Sequence, residues 1–175
     1  SEMGNFQEAI RLNNEALKIL KDKEGTNNSN CATIFDNLSV CYSSLGDFSK
    51  AIHMNREALS IWKGIFGTSH PCYAKSLNNL AQDYYCFGDY HEAIRLGEKA
   101  LEITKGVYGE NHPDYAAILN NLSMDYSSIG DFSEAIRLNE KSVKILTNLY
   151  GKSHPEYAKY LGNLANCYLY LENYS

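Results

Sequence analysis

Residues 88–129 read GDYHEAIRLGEKALEITKGVYGENHPDYAAILNNLSMDYSSI, and residues 130–171 read GDFSEAIRLNEKSVKILTNLYGKSHPEYAKYLGNLANCYLYL. Laid one over the other, they agree at 20 of 42 positions. Such agreement at a fixed step marks an internal repeat before any helix or strand is assigned. Carried along the chain, the 42-residue step aligns Gly4, Gly46, Gly88 and Gly130, then Phe6, Phe48, Tyr90, Phe132 and Tyr174, then the pairs Ala9-Ile10, Ala51-Ile52, Ala93-Ile94 and Ala135-Ile136. Four periods take up 168 of the 175 residues, so the chain is almost entirely repeat.

Each period carries two helical patterns. Over 113–129, Ala116, Leu119, Leu122, Ser123 and Tyr126 recur at spacings of three and four, one buried stripe of a helix. Pro113 opens it, where a missing N–H costs nothing, and Gly130 suits the left-handed turn that follows a helix end. Asp131 then stands where an N-cap belongs, with Glu134 completing a capping box. The second helix follows with Phe132, Ala135, Ile136, Asn139, Ser142, Val143 and Leu146 inward and stops near Gly151. Asp89 with Glu92 and Asn5 with Glu8 predict the same cap, while Asp47 has Lys50 in the third place and keeps half of it. Ala9, Ala51, Ala93 and Ala135, with Ala16, Ala58, Ala100 and Ser142, predict close helix approach. One such hairpin cannot bury both its stripes, but a stack can, and a constant rotation per repeat makes a superhelix with a concave and a convex face.

The composition agrees. At 44% hydrophobic and 21% charged the chain can fold, and a net charge of −5 leaves no basic patch for nucleic acid or an anionic membrane. No apolar run reaches the length of a membrane span, and the sequence does not open on a basic stretch followed by an apolar one. The five scattered cysteines, Cys31, Cys41, Cys72, Cys86 and Cys167, read as reduced thiols of a cytoplasmic protein. Ser1-Glu2-Met3 reads as the start of an excised fragment, with Ser1 a tag remnant.

Leu77-x-x-Leu80-Ala81-x-x-Tyr84, then Gly88-Asp89-Tyr90-x-x-Ala93 and Ala100, resembles the tetratricopeptide repeat. The 42-residue period, with Tyr108-Gly109, His112-Pro113 and Tyr115-Ala116 and again Tyr150-Gly151, His154-Pro155 and Tyr157-Ala158, resembles the longer repeat of kinesin light chains. The resemblance implies an all-α, right-handed superhelix of about four helix-turn-helix repeats. The organisation expected is a second helix of a partial repeat (4–24), repeats 29–66, 71–108 and 113–150, and the first helix of a truncated repeat (155–171). The coiled-coil segment of kinesin light chains has no counterpart here. The first junction has Asn28-Ser29 in place of His-Pro and needs another cap, and Glu172 replaces the glycine expected near the other end. Seven full or near-full helices, apolar edges at the ends and a longer parent chain are the expectation.

The resemblance also implies that the first helix of each pair lines the concave surface. Opposite the buried stripe of helix 71–87 lie Lys75, Asn78, Asn79, Gln82, Tyr85 and Cys86. The equivalents are Thr33, Asp36, Asn37, Val40 and Ser43, then Ala117, Asn120, Asn121, Met124 and Ser127, then Lys159, Gly162, Asn163, Asn166 and Tyr170. Asn37, Asn79, Asn121 and Asn163 form a ladder whose amides offer a donor and an acceptor each. In the family, asparagines at this position grip ligand main chain; the competing reading is a bond to the adjacent repeat. Only Lys75 and Lys159 lie on this stripe, too few for a carboxylate clamp, so a neutral, polar or aromatic-bearing peptide fits better.

Other candidates read as structural. Asp83 and Asp125, aligned with Cys41 and Cys167, predict semi-buried acids with partners. His70, His112 and His154 recur about one repeat width apart, too far to share a metal ion, and predict local work at the turns, whereas His53 and His91 read as surface residues. Trp62 reads as packing, and Glu98 with Lys99 and Glu140 with Lys141 read as solvated faces. No nucleophile elbow, phosphate loop or zinc-protease motif is present. The function expected is a non-enzymatic scaffold without cofactor or metal, binding a peptide or helix of a partner protein in its groove. The alternatives are a spacer assembling end to end, and a regulatory segment of a larger signalling protein.

Overall fold

A chain that must reverse at the end of every helix needs a residue able to turn at positive φ. Gly25, Gly46, Gly67, Gly88, Gly109, Gly130 and Gly151 supply it, with φ between 74° and 95°. At Gly88 the left-handed conformation closes the preceding helix, its N–H donating to Tyr84 and Tyr85 carbonyls. At Gly109 φ is positive and ψ extended, so the chain leaves the helix directly and enters the next junction.

The computed structural model describes the backbone of residues 2–174 and the side chains of residues 4–23 and 25–172. Among these are eight helices: α1 (Glu2–Glu24), α2 (Ser29–Ser44), α3 (Phe48–Phe66), α4 (Pro71–Phe87), α5 (Tyr90–Tyr108), α6 (Pro113–Ser128), α7 (Phe132–Tyr150) and α8 (Pro155–Tyr174). That is one more than the seven predicted, because α1 and α8, at 23 and 20 residues, are both full-length. The caps follow the sequence in part, and Glu92, like Glu134, turns its carboxylate to the arginine three residues on, Arg95, at 2.6 and 2.7 Å. Asp47, Asp89 and Asp131 accept from the N–H three residues on, and Asn28 replaces the histidine at α2, accepting from Cys31 N at 2.9 Å. Asn5, however, lies inside α1, and Glu134 does not complete its box, its carboxylate turning to Arg137 at 2.5 and 2.7 Å.

The chain divides into two compact units, Ser1–Gly88 and Asp89–Ser175. In the first, α2 packs antiparallel on α3, and α4 packs on α3 and beside α2. Its core is Phe35, Leu38, Ala51, Ala58, Trp62, Leu77 and Leu80, all buried. In the second, α6 packs on α5 and α7, and α8 on α7 and α6. Ala93, Ala100, Leu119, Leu122, Ala135 and Leu146 are buried there. Of the predicted small positions, Ala51, Ala58, Ala93, Ala100 and Ala135 are 0% exposed, Ala9 and Ala16 on α1 are half-buried, and Ser142 donates to the Ala116 carbonyl at 2.7 Å.

Candidate functional site

In the first unit, α2 and α4 lie parallel, joined by two side-chain bonds of the same sequence offset. Ser76 Oγ donates to Asp36 at 2.7 Å, and Ser43 Oγ donates to Asp83. This alignment brings their outward faces together. Asn37 and Val40 on α2 are exposed, as is Lys75 on α4, with Asn79 and Gln82 half-buried beside it. Lys75, Asn79 and Gln82 stand at spacings of four and three, one face of a helix. Asn37, Asn79 and Gln82 have no hydrogen-bond partner among the described residues, so three carboxamides stay free around the exposed Val40. Asn78 and Tyr85, also predicted here, are half-buried and engaged in other contacts.

Beneath this face, Asp36 joins three helices. It accepts from Trp62 Nε1 of α3 at 3.0 Å and from Ser76 of α4. Burial pushes its carboxyl above the usual range, while those bonds and the Lys75 charge pull the other way. Trp62 is therefore a buried strut. Asp83 is the predicted partnered acid: besides Ser43 it accepts from Asn55 Nδ2 at 2.5 Å, and Asn55 accepts from Ser39 at 3.0 Å. Burial raises this carboxyl too, against those two bonds.

In the second unit the residues are differently placed. Asn120 is 2% exposed and does not reach the outward face; its oxygen accepts from Asn163 Nδ2 at 2.8 Å, and the same amide lies 4.0 Å from Met124 Sδ. The bond to the adjacent repeat is thus realised at Asn163. Asn121 is half-buried and engaged, Met124 is half-buried, and Lys159 and Asn166 are exposed. Tyr170 stacks on Phe132 at 5.7 Å.

Asp125 departs from expectation. It is 4% exposed and has no partner among the described residues, and burial alone pushes its carboxyl up to about 7. The repeat explains this: the position that is Asn55 opposite Asp83 is Gly97 opposite Asp125. A Cβ at Gly97 would meet Leu122 Cδ2 at 2.8 Å, so close packing has displaced the amide. One repeat on, Asn139 is restored but Cys167 replaces the acid. Both polar atoms of the Asn139 side chain are left without a partner, while Ser127 still bonds the Cys167 thiol, which burial raises. The sequence holds the signal for both mismatches, but only when each acid position is read together with its partner on the preceding helix.

The histidines work locally, as predicted. His70, His112 and His154 each accept, through Nδ1, from the N–H two residues on at 3.2–3.3 Å. Each stacks on the aromatic ring four residues earlier, Phe66, Tyr108 or Tyr150. The pairs read as solvated faces instead tie helices together. Glu98 and Glu140 accept from the Tyr126 and Tyr168 hydroxyls at 2.7 Å, and Lys141 donates to Tyr115 OH at 3.0 Å. No group of three metal-ligating side chains and no helix long and apolar enough to cross a membrane occurs among the described residues.

A tetratricopeptide repeat family model matches residues 1–63, 54–106 and 74–148. No curated protein matches in sequence. Among solved structures, BtubC (BKLC) from P. vanneervenii superimposes with a TM-score of 0.87 at 24% identity, covering 99% of this chain and 69% of that one. A Podosopora anserina protein of nearly identical TPR-like repeats, described as a kinesin light chain, gives 0.82 at 23% identity over 98% and 81%. The apo form of RapI gives 0.81 at 19% over 97% and 59%. These likenesses establish the all-α repeat fold.

Proposed function

Since the chain belongs to the tetratricopeptide repeat family, a protein-interaction fold, we propose that it is a non-enzymatic scaffold that grips an extended peptide of a partner protein on the outward face of α2 and α4. The observation that carries this reading is the set of free carboxamides, Asn37, Asn79 and Gln82, around the exposed Val40. An extended peptide presents unpaired N–H and C=O groups along its length, and a carboxamide answers either one. The second unit contributes Met124, Lys159 and Asn166 to an equivalent face, with its Asn163 amide already given to the fold.

The test uses peptides selected on the intact chain from a phage-displayed library of random dodecapeptides. Replacing Asn37 and Asn79 together by alanine is expected to weaken such a peptide about tenfold, two modest hydrogen bonds. Undiminished affinity in the folded double variant removes the assignment.

A second reading, self-association, has its own observation. Leu12 and Ile19 on α1 and Leu161 and Leu169 on α8 are 39–58% exposed. Light scattering over a concentration series distinguishes it, since a constant monomer mass rules it out.

A further inference from the structure

In the second unit, Glu110, on the loop before α6, bridges two lysines. Lys105, in the last turn of α5, donates to one carboxylate oxygen at 2.5 Å, and Lys141 on α7 donates to the other at 2.9 Å. The bonds from Lys105 and Lys141 hold the Glu110 carboxyl down at about 2. Beside the bridge lies a hollow of about 210 Å³, lined by Ile145 with Lys144 and Asn148. A group no larger than a carboxylate therefore spans the gap between these two side-chain positions.

Two repeats earlier, each part of this corner has its counterpart. Lys21 aligns with Lys105, Thr26 with Glu110 and Glu57 with Lys141, and Ser60, Ile61 and Gly64 align with Lys144, Ile145 and Asn148. Thr26 is too short to bridge. Ser60 and Gly64 take less room than their equivalents, and the hollow widens to about 480 Å³, within the roughly 300–1,000 Å³ of small-molecule sites. The second cation of the bridge becomes the Glu57 carboxylate, so the two sides carry opposite charge. In the aligned sequence this happens only here, since the other two copies have Lys63 with Lys99 and Lys105 with Lys141. Lys21 and Glu57 are both exposed, and neither has an ion-pair partner among the described residues. The lining between them includes Phe35 and Ile61, with Lys21 Nζ 5.5 Å from the centre of the Phe35 ring. On the loop side the Asn27 carboxamide packs on Gly64, where a Cβ would lie 3.5 Å from its oxygen. Asn28 fixes this loop, donating to the Gly25 carbonyl at 2.9 Å while it caps α2.

We propose that the hollow of the first unit, apart from the α2–α4 face, is a binding site for a free α-amino acid with an aliphatic or aromatic side chain. The ligand's carboxylate accepts from Lys21 as that of Glu110 does from Lys105, its ammonium donates to Glu57, and its side chain lies on Phe35 and Ile61. An α-amino acid carries both charges on one carbon, close enough together to fill a gap that a single carboxylate spans. The Thr26 and Ser60 hydroxyls, each able to donate and to accept, answer the remaining polar atoms. A ligand with one charge leaves either Lys21 or Glu57 unanswered.

The experiment is an amide NMR titration of the intact chain with L-leucine and L-phenylalanine. Saturating shifts at Thr26, Asn27, Glu57 and Ser60 are expected near about 1 mM, the strength open to a ligand of about ten non-hydrogen atoms with exposed charge pairs. Isoamylamine, which is leucine without its carboxylate, and isocaproate, which is leucine without its ammonium, should bind about tenfold more weakly. Glu57→Gln and Lys21→Met should each weaken L-leucine about tenfold. Thr26→Glu together with Glu57→Lys rebuilds the bridge of the second unit and should abolish binding. These positions are exposed, so circular dichroism should show unchanged melting in every variant. Absence of a saturating shift by about 20 mM of either amino acid overturns the proposal. So does binding of isoamylamine or isocaproate as strong as that of L-leucine, or binding that survives in the folded double variant.

Discussion

Asp83 and Asp125 are equivalent residues with opposite surroundings, 5% and 4% exposed. Asp83 has Ser43 and Asn55; Asp125 has neither equivalent. Because burial lifts the Asp125 carboxyl from 3.8 to about 7, the folded state keeps a proton that the unfolded chain releases. Its contribution is present below the unfolded value and is lost as pH rises toward 7. Asp125→Asn, which keeps the shape without the charge, should therefore gain on the parent protein by roughly 1.4 kcal/mol per pH unit between pH 5 and 7 and hold that gain above. Urea unfolding at a series of pH values measures it; parallel curves for the two proteins would show that Asp125 is not the group responsible. That these aspartates are interior was legible in the sequence, since cysteine replaces them in the outer repeats. That one lacks partners was legible only by pairing it with Gly97 on the preceding helix, and the reason, Leu122 packed into the amide's place, only in the structure.

Helix α8 is held to α7 and α6 by an incomplete version of the contact that holds α4 to α3 and α2. Asn139 precedes Cys167 by the same step as Asn55 precedes Asp83, and Ser127 stands where Ser43 does. Burying a new carboxylate ordinarily costs several kcal/mol. Here Cys167→Asp supplies an acceptor to two groups already in place, so a change within about 1 kcal/mol is expected, whereas Asp83→Cys should cost about 2–3 kcal/mol by stranding Asn55. Equilibrium denaturation of both variants decides it, and unfolding of α8 in Cys167→Asp would refute the equivalence. Helix bounds and most caps were readable from Pro, Gly and Asp positions. The fate of Glu134 was not, since whether it reaches back to its cap or across to Arg137 is a choice between two contacts of similar local cost.

Along the chain as a whole, each helix is stabilised by the few it touches, as in other repeat arrays. Helix α1 packs chiefly on α2 among the described residues, and α8 presents Leu161, Tyr168 and Leu169 outward. Helices α3 and α7 are enclosed by two partners each. Hydrogen exchange followed by mass spectrometry should show α1 and α8 losing protection well before α3 and α7. Uniform protection from α1 to α8 would mean that the units open only as wholes.

The repeat, its helices and the outward face of each first helix were all readable from the amino-acid order, because each follows from spacing: half a period between turning glycines, three and four positions between buried side chains. Which polar groups remain available on that face was settled only by the packing of one helix on another. Asn37, Asn79, Asn121 and Asn163 are identical in the alignment, yet Asn163 is bonded to Asn120 and Asn37 is free. A carboxamide's availability depends on what the neighbouring helix places within about 3 Å of it, and that neighbour belongs to another repeat, remote along the chain.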